Sequence, residues 1–353
     1  MEKVLTRVNP VLKCYPNYAH IFSIVGAYTE NYLPWVYNHF MQLFVPNCYE
    51  AGIRIDYVTP HMLKSFPWID VNHIERKIVS DKWENIIEFI KDYIDKQYYI
   101  YALFDVSQID LYQFSKFRTH DPLIYGYNDD KRLIYFADNF KDGKYSNGCA
   151  DYSEIINATN TLTNRIDITD WLDGFNCIKY KEKYDFGNCR FSYQYNFNFN
   201  KELYLNLLTD YVEQKNSYRR WCAPQNLVEI EDSNIWGTGI YAFLQKYLEY
   251  VINNEQELDQ RGFYVFMEHK VLLKNSVEYL LGRQWKLLYF SEWYLMEDCV
   301  AISTIIFNLC LKYNIVLKKE IIKRISLRLY ELEKKEKELI ERLIYIIDKN
   351  KYN

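Results

Sequence analysis

The feature that most constrains the fold is a pair of short apolar segments separated by a cluster of turn-forming residues. Residues 123–127 (Leu-Ile-Tyr-Gly-Tyr) and 133–137 (Leu-Ile-Tyr-Phe-Ala) are rich in β-branched and aromatic side chains. The residues between them include Asn128-Asp129-Asp130, which favour a turn. This pattern predicts an antiparallel hairpin. If the turn is symmetric about Asp129, His120 and Asp138 lie directly opposite each other on the two strands.

Directly opposed residues of an antiparallel pair have Cβ atoms about 5 Å apart. That separation lets an imidazole N–H of His120 reach the carboxylate of Asp138. The hairpin therefore predicts a histidine that is oriented by an acid. A turn that is one residue longer would shift the register and separate the two side chains.

A helix is predicted close to the N-terminus, and Cys14 lies at or just before its first turn. Ile21, Phe22 and Val25 recur at helical spacing, and Pro16 suits a first turn, where its missing N–H has no intrahelical partner. A thiol in this position experiences the positive end of the helix dipole, and a neighbouring imidazolium would lower its pKa further.

Together these residues predict a nucleophilic cysteine site. Cys14 is the candidate nucleophile, His120 the candidate base and Asp138 the residue that orients the imidazole. The backbone N–H of Cys14 is a candidate oxyanion donor, and the side chain of Asn9 is a weaker one.

The two halves of the chain differ in character. Residues 83–94 predict an amphipathic helix and residues 98–106 a buried strand, whereas helices dominate beyond about residue 190. We therefore expect an α+β protein with one domain at residues 1–165 and a mostly helical domain at residues 166–353. The later helices are predicted around residues 240–252, 271–281, 285–311 and 320–347, the last with a polar break at residues 333–338.

Charge and cysteine spacing narrow the functional classes. The net charge of −4 comes from 43 basic and 47 acidic residues, which argues against nucleic-acid binding as the primary role. The eight cysteines form no CxxC pair and no cluster with zinc-site spacing, so neither a metal nor a bound cofactor is expected. No secretory signal is visible, and residues 300–317 are interrupted by polar residues, which predicts a cytoplasmic protein without a membrane partner.

The order of these residues resembles the papain-like cysteine peptidases, especially the C39-like group. The shared features are a cysteine at the head of the first helix, a distant histidine, and an acid at the end of the next strand. The segments 119–130 (Thr-His-Asp-Pro-Leu-Ile-Tyr-Gly-Tyr-Asn-Asp-Asp) and 135–139 (Tyr-Phe-Ala-Asp-Asn) are similar to an antibiotic-cluster branch of that superfamily. This branch includes the N-terminal domain of the butirosin acyltransferase and the transglutaminase-like enzyme of closthioamide assembly. Residues 259–270 carry a looser similarity to the same proteins.

The resemblance implies a papain-like domain followed by a mainly α-helical domain. It also implies an amide-forming acyltransferase that takes an acyl group from a carrier-protein thioester onto Cys14 and passes it to an amine, a diamine in the closthioamide-type case. The phosphopantetheine arm of the carrier would then be part of the donor substrate. The chain departs from the peptidase pattern at Val8, where a glutamine is usual, and at Tyr15, where the surroundings are usually glycine-rich.

Several alternatives remain open from the sequence. The same triad would serve a cysteine peptidase or an amidohydrolase, and an inactive module would keep the fold to bind a carrier or a product. Cys222, which follows two arginines, is a less favoured nucleophile, and Arg219 and Arg220 are candidate contacts for an acidic carrier. His20 is too far along its helix for a direct bond to Cys14, and His39, His61 and His73 are interpreted as structural.

Overall fold

A computed structural model describes the chain at residues 1–49, 52–140, 143–163, 174–185, 192–194, 199–220, 233–281 and 290–349. The described residues belong to two compact units, each assembled from two stretches of chain. The first unit comprises Met1–Tyr32 and His61–Asn196, and the second comprises Leu33–Pro60 and Phe197–Asn353.

The first unit contains most of the strands. Its strands are β1 (Glu2–Val4), β4 (Ile69–Glu75), β5 (Tyr99–Ala102), β6 (Phe104–Asp105), β7 (Thr119–His120), β8 (Leu123–Asn128), β9 (Leu133–Asn139), β10 (Tyr145–Asp151), β11 (Gly174–Tyr180), β12 (Lys183–Asp185) and β13 (Ser192–Gln194). Its helices are α1 (Pro16–Val25), α3 (Met62–Ser65), α4 (Arg76–Lys82), α5 (Ile86–Asp95) and α6 (Tyr152–Thr163).

The main sheet of this unit is antiparallel, in the order β10-β9-β8-β5-β11-β4. One edge of β8 is shared: its first residues pair with β5, and its last residues pair with β1. Gly126 permits the approach of β1, because a Cβ at this position would lie 2.6 Å from the carbonyl oxygen of Lys3. The sheet provides the frame for the residues predicted to be catalytic.

The predicted hairpin is present, but its predicted register is wrong. Leu123 lies opposite Ala137, and the register then shifts between Ile124 and Gly126 because of a bulge. Pro122 precedes the paired segment and has no N–H to contribute to a ladder. His120 therefore does not lie opposite Asp138 on the hairpin; it belongs to β7, which pairs with β6.

The predicted helix at the N-terminus is confirmed. Helix α1 begins at Pro16, which occupies its first turn, and Tyr15 precedes it in an extended conformation. Ile21, Phe22 and Val25 are fully buried, as their spacing indicates. Cys14 thus lies just before the helix start.

The second unit is mainly helical. Its helices are α2 (Leu33–His39), α7 (Lys201–Val212), α8 (Gly239–Asn254), α9 (Gln260–Leu281), α10 (Phe290–Val316) and α11 (Lys319–Lys349). A small antiparallel sheet is formed by β2 (Leu43–Val45), β3 (Asp56–Tyr57) and β14 (Ile235–Trp236), with β2 in the centre.

The division into units differs from the expected one in two places. Strand β11 lies between β5 and β4 in the main sheet, so the first unit continues well past residue 165. Strands β2 and β3 pair with β14, so an early segment of the chain belongs to the helical unit. Both differences arise from strand pairings between residues that are distant in sequence. The coarser prediction of an α+β protein with a helical C-terminal region is confirmed.

The polar segment predicted to break the last helix lies inside one continuous helix, α11. Glu336 is fully buried there, and its carboxylate lies 2.6 Å from the ammonium group of Lys270. Tyr241 and Tyr211 donate to the other carboxylate oxygen at 2.6 and 3.1 Å. His269 accepts from Lys270 and donates to the carbonyl of Met41, so it is a structural residue of this unit.

One helix in the described part of the chain, Ser291–Val316, is long and apolar enough by length and composition to cross a membrane. Of its most apolar window, 39% is buried within the protein. It packs against α9 and α11, as core helices of similar composition do. The cytoplasmic location stays a prediction.

The buried pair of Lys270 and Glu336 generates a stability prediction. Lys270→Met leaves an uncompensated buried carboxylate, so we expect the free energy of unfolding to fall by about 3–5 kcal/mol. The double variant Lys270→Met/Glu336→Leu removes both charges and should recover most of that loss. Urea denaturation followed by circular dichroism measures both.

Lys274→Met is the matched control, because Lys274 lies on α9 like Lys270 but makes a partly exposed ion pair, with Glu297 of α10. Its effect should stay below about 1 kcal/mol. A double variant that is as unstable as Lys270→Met would contradict the prediction.

Candidate active site

Asp138 is the buried centre of the candidate site. It lies near the end of β9, and its side chain has no exposed surface. One carboxylate oxygen accepts from His120 Nδ1 at 2.6 Å and from the hydroxyl of Tyr112. The other accepts from the backbone N–H of Asn139 at 2.7 Å. Three donors identify Asp138 as an ionised acceptor.

Local backbone pairing positions His120. In the short β6–β7 ladder, His120 lies opposite Phe104, and Thr119 lies opposite Asp105. Asp105 is buried, and one of its oxygens accepts from the backbone N–H groups of Ser107 and Arg118. This one carboxylate therefore joins both ends of the intervening loop and fixes the strand that carries His120.

The same loop carries Tyr112 to Asp138. Tyr112 ends a short 3₁₀ turn, and the next residue, Gln113, adopts a left-handed conformation. The ring of Tyr112 lies parallel to that of Phe136, with centroids 6.0 Å apart, and contacts Phe140. This packing directs the Tyr112 hydroxyl onto the Asp138 oxygen that does not accept from the backbone of Asn139.

The protonation of His120 follows from these contacts. Burial lowers its pKa, but the hydrogen bond and charge of Asp138, with the charge of Asp121, outweigh burial and raise the pKa above its usual value. Because Asp138 only accepts, Nδ1 carries the proton and Nε2 of the neutral ring is the basic atom. The His120 side chain is 26% exposed, whereas Asp138 is inaccessible. The site thus has a reachable base and a sequestered orienting acid.

A second carboxylate lies next to this pair. Asp121 has one oxygen 3.5 Å from His120 Nδ1, and the other accepts from the Tyr101 hydroxyl at 2.6 Å. Burial and the charge of Asp138 raise the pKa of Asp121 to about 6, against the opposing effects of His120 and Tyr101. Asp121 therefore keeps its proton to a higher pH than an exposed aspartate does.

His20 supports the site from helix α1. Its ring is fully buried, with Nε2 2.9 Å from the carbonyl oxygen of Asp121 and Nδ1 2.9 Å from the Tyr145 hydroxyl. Burial lowers its pKa to about 4, so it stays neutral at physiological pH. These contacts tie α1 to the segment that bears His120.

Cys14 is half-buried and lies on the segment that leads into α1. The carbonyl of Lys13, the preceding residue, accepts from the side-chain amide of Asn139 at 3.0 Å. Asn139 directly follows Asp138. This hydrogen bond therefore connects the neighbour of Cys14, the predicted nucleophile, to the neighbour of Asp138, the predicted orienting acid.

Asn9 is exposed and lines a groove with Tyr145, Ser146 and Asn147. Ser146 pairs with Asp138 across β10 and β9, so this groove is one strand away from the buried carboxylate. The assignment of Asn9 as an oxyanion donor stays a prediction.

The remaining candidates from the sequence are Cys222, Arg219 and Arg220. Cys222 lies outside the described residues, as does the side chain of Arg219. Arg220 forms a two-pronged ion pair with the buried carboxylate of Asp210, at 2.6 and 2.8 Å. Its side chain is 36% exposed, and its contact with an acidic carrier stays a prediction.

Within the described part of the chain, His120, Asp121 and Asp138 are also close enough to share a cation, with ligand atoms within 4.8 Å of one another. However, Asp138 accepts three hydrogen bonds, and its contact with His120 is a hydrogen bond of 2.6 Å. A cation would have to displace these donors. The donor set favours proton transfer.

The sequence reasoning identified His120 and Asp138 but missed Tyr112 and Asp121. Asp121 had a signal, since it follows His120 directly, whereas Tyr112 was one of 35 tyrosines with no distinguishing pattern. No protein-family model matches this chain, and no curated protein matches it either.

The electrostatics of the site yield a direct prediction. In Asp138→Asn the charge that opposes burial is removed, so the pKa of His120 should fall from above to below its usual value of about 6.5. Histidine ring signals followed by NMR between pH 4 and 9 measure this change. His20 is an internal control, because it should remain neutral down to about pH 4 in both proteins. An unchanged His120 titration would refute the assigned role of Asp138.

Proposed function

We propose that this protein is a cysteine-dependent acyltransferase of papain-like architecture that forms amides from carrier-bound thioesters. Cys14 is the nucleophile, His120 the general base and acid, and Asp138 the orienting residue. The observation that carries the proposal is the 2.6 Å hydrogen bond from a reachable His120 to a fully buried Asp138.

Three further features support this assignment. Cys14 lies just before the start of a buried helix, where the helix dipole favours a thiolate. Asn139 ties the segment of Cys14 to the strand of Asp138. The raised pKa of His120 keeps an imidazolium available to a higher pH, which favours a thiolate–imidazolium pair.

In the first half-reaction, His120 Nε2 takes the proton of the Cys14 thiol, and the sulfur attacks the thioester carbonyl. The resulting oxyanion lies at the positive end of helix α1, and backbone or side-chain N–H groups there stabilise it. The tetrahedral intermediate collapses with loss of the carrier thiol, which receives its proton from the imidazolium. The products are an acyl-Cys14 thioester and the free carrier.

In the second half-reaction, an amine attacks the acyl-Cys14 carbonyl and gives its proton to His120. Collapse releases the amide, and the imidazolium returns the proton to the Cys14 sulfur. Water would yield the free acid by the same steps, so transfer requires that the amine outcompetes water at the acyl-enzyme. Tyr112 and Asp121 act through His120 and Asp138 as positioning residues.

The carrier-protein donor and the amine acceptor follow from the resemblance of residues 119–139 to the antibiotic-associated acyltransferases. The phosphopantetheine arm is part of the donor, so the reaction needs no separate cofactor. A cysteine peptidase or amidohydrolase would use the same residues on a peptide substrate. A binding module would use none of them chemically.

The first test is the rate of iodoacetamide alkylation at each cysteine between pH 5 and 8, mapped by peptide mass spectrometry. We expect Cys14 to react at least about 10-fold faster at pH 6.5 than the exposed thiols Cys48 and Cys149, because it is a thiolate there. His120→Ala should remove that advantage. Reaction of Cys14 no faster than Cys48 in the native protein would remove the basis for a catalytic thiolate.

The second test is turnover of an acyl N-acetylcysteamine thioester with and without a diamine. The native protein should form an acyl adduct on Cys14 and release an amide, and His120→Ala should lower the rate by on the order of 100-fold or more. Cys14→Ala should abolish both. Formation of free acid alone at every amine concentration would identify a hydrolase. An active Cys14→Ala protein would disprove the assignment of the nucleophile.

A further inference from the structure

A groove of about 360 Å³ lies beside the candidate active site in the first unit. Its lining is polar and contains no carboxylate: Arg7, Val8, Asn9, Pro10, Tyr145, Ser146 and Asn147. The side chains thus offer a guanidinium, two amides and the hydroxyl of Ser146, since the Tyr145 hydroxyl is bonded to His20. All of these groups can donate hydrogen bonds, and the groove carries a single positive charge.

Arg7 is held by aromatic rings rather than by an acid. Its guanidinium carbon lies 4.5 Å from the ring centroid of Tyr125 and 5.9 Å from that of Tyr145. Its Nε atom is buried and has no hydrogen-bond partner. Among the residues that the structure describes, no carboxylate lies within ion-pair distance of Arg7.

This state differs from that of several described arginines, although the exposed Arg118 and Arg132 also lie over aromatic rings. Arg220, Arg261 and Arg342 each contact a carboxylate at 2.6 to 3.0 Å, and Arg76 donates to a backbone carbonyl. Burying a donor without a partner is unfavourable, and more so for a charged group. The planar guanidinium of Arg7 packs on the ring of Tyr125, and its Nε–H group can still donate a hydrogen bond.

The groove is directly connected to the candidate site. Ser146 is the cross-strand neighbour of Asp138, and the Tyr145 hydroxyl bonds to His20, which in turn holds the Asp121 carbonyl. The charge of Arg7 reaches this network, since it is among the influences that lower the pKa of His20. A group bound at Arg7 would therefore lie next to the strand that pairs with Asp138 and to the residues that hold His20.

We propose that the groove at Arg7 is an anion subsite that binds a carboxylate or phosphate group of the substrate. The guanidinium would provide a forked pair of donors, and Asn9, Ser146 and Asn147 would complete the hydrogen bonds. Planar carboxylates and phosphates match the geometry of such a fork. The role in substrate selection rests on the proposed acyl transfer, whereas binding of the anion does not.

Binding is tested with glutarate and with inorganic phosphate at low ionic strength, by ¹⁵N NMR of the arginine Nε–H groups. The Arg7 signal is identified as the one absent in Arg7→Gln. In the native protein and in Cys14→Ala, this signal should shift with saturation on addition of at least one of the two anions. Isothermal titration calorimetry measures the affinity of the two variants, because both lack the Arg7 Nε–H signal. Arg7→Gln should weaken binding at least about 10-fold, and Arg7→Lys should give an intermediate loss because it keeps the charge without the fork.

Because Cys14→Ala retains the groove, binding in that variant supports the subsite even if the proposed chemistry fails. If neither anion shifts the Arg7 signal, or if Arg7→Gln binds both as tightly as the native protein, the inference is overturned. Arg7→Gln should unfold at a temperature close to that of Arg7→Lys, which separates loss of the subsite from loss of the fold.

Two matched donor pairs then identify the source of the anion. Glutaryl and butyryl thioesters of N-acetylcysteamine differ in a terminal carboxylate, and phosphopantetheine and pantetheine thioesters of one acyl group differ in a phosphate. Native kcat/KM should favour the anionic member of one pair about 10-fold or more, and in Arg7→Gln the ratio of the two kcat/KM values should fall to about one. If Arg7→Gln lowers kcat/KM equally for the anionic and the neutral members, a specific role for Arg7 is contradicted.

Discussion

The hydrogen-bonded carboxylate of Asp138 is the constraint on which the rest of the candidate site depends. A buried carboxylate is stable only when donors replace its lost hydration. Here those donors come from three places: Tyr112 on a loop, His120 on a short strand and the backbone of Asn139 on its own strand. These hydrogen bonds to Asp138 fix the loop, the strand and the imidazole relative to the sheet. The buried charge thus organises the site and sets the basicity of His120.

The sequence predicted the partners in this site but not the geometry that joins them. The hairpin, the helix start at Pro16 and the closeness of His120 to Asp138 all followed from local patterns. The register did not follow from them, because the turn occupies residues 129–132 and is not centred on Asp129, and a bulge beside Tyr125 then shifts the pairing again. His120 reaches Asp138 from β7, so the correct pair was predicted by way of a wrong strand alignment.

The features that the sequence could not provide share one physical cause. Periodicity reveals which face of an element is buried, but it does not reveal which distant element covers that face. Strand β11 inserts between β5 and β4, and β14 pairs with β2, and both pairings join residues far apart in the chain. The polar segment that suggested a break in α11 reflects the same limit, since Glu336 is buried because of Lys270 on another helix.

The interleaving of the two units also determines the order in which the protein can be built on the ribosome. The segment with Cys14 emerges first, but its unit lacks an inner strand of the sheet until β11 has been synthesised. By then β2 and β3 have already emerged and still await β14. Neither unit can mature from one uninterrupted stretch of nascent chain, so its exposed strand edges must remain protected from wrong pairing while synthesis continues. A fragment that ends at residue 165 would retain the proposed catalytic residues on an unfinished sheet.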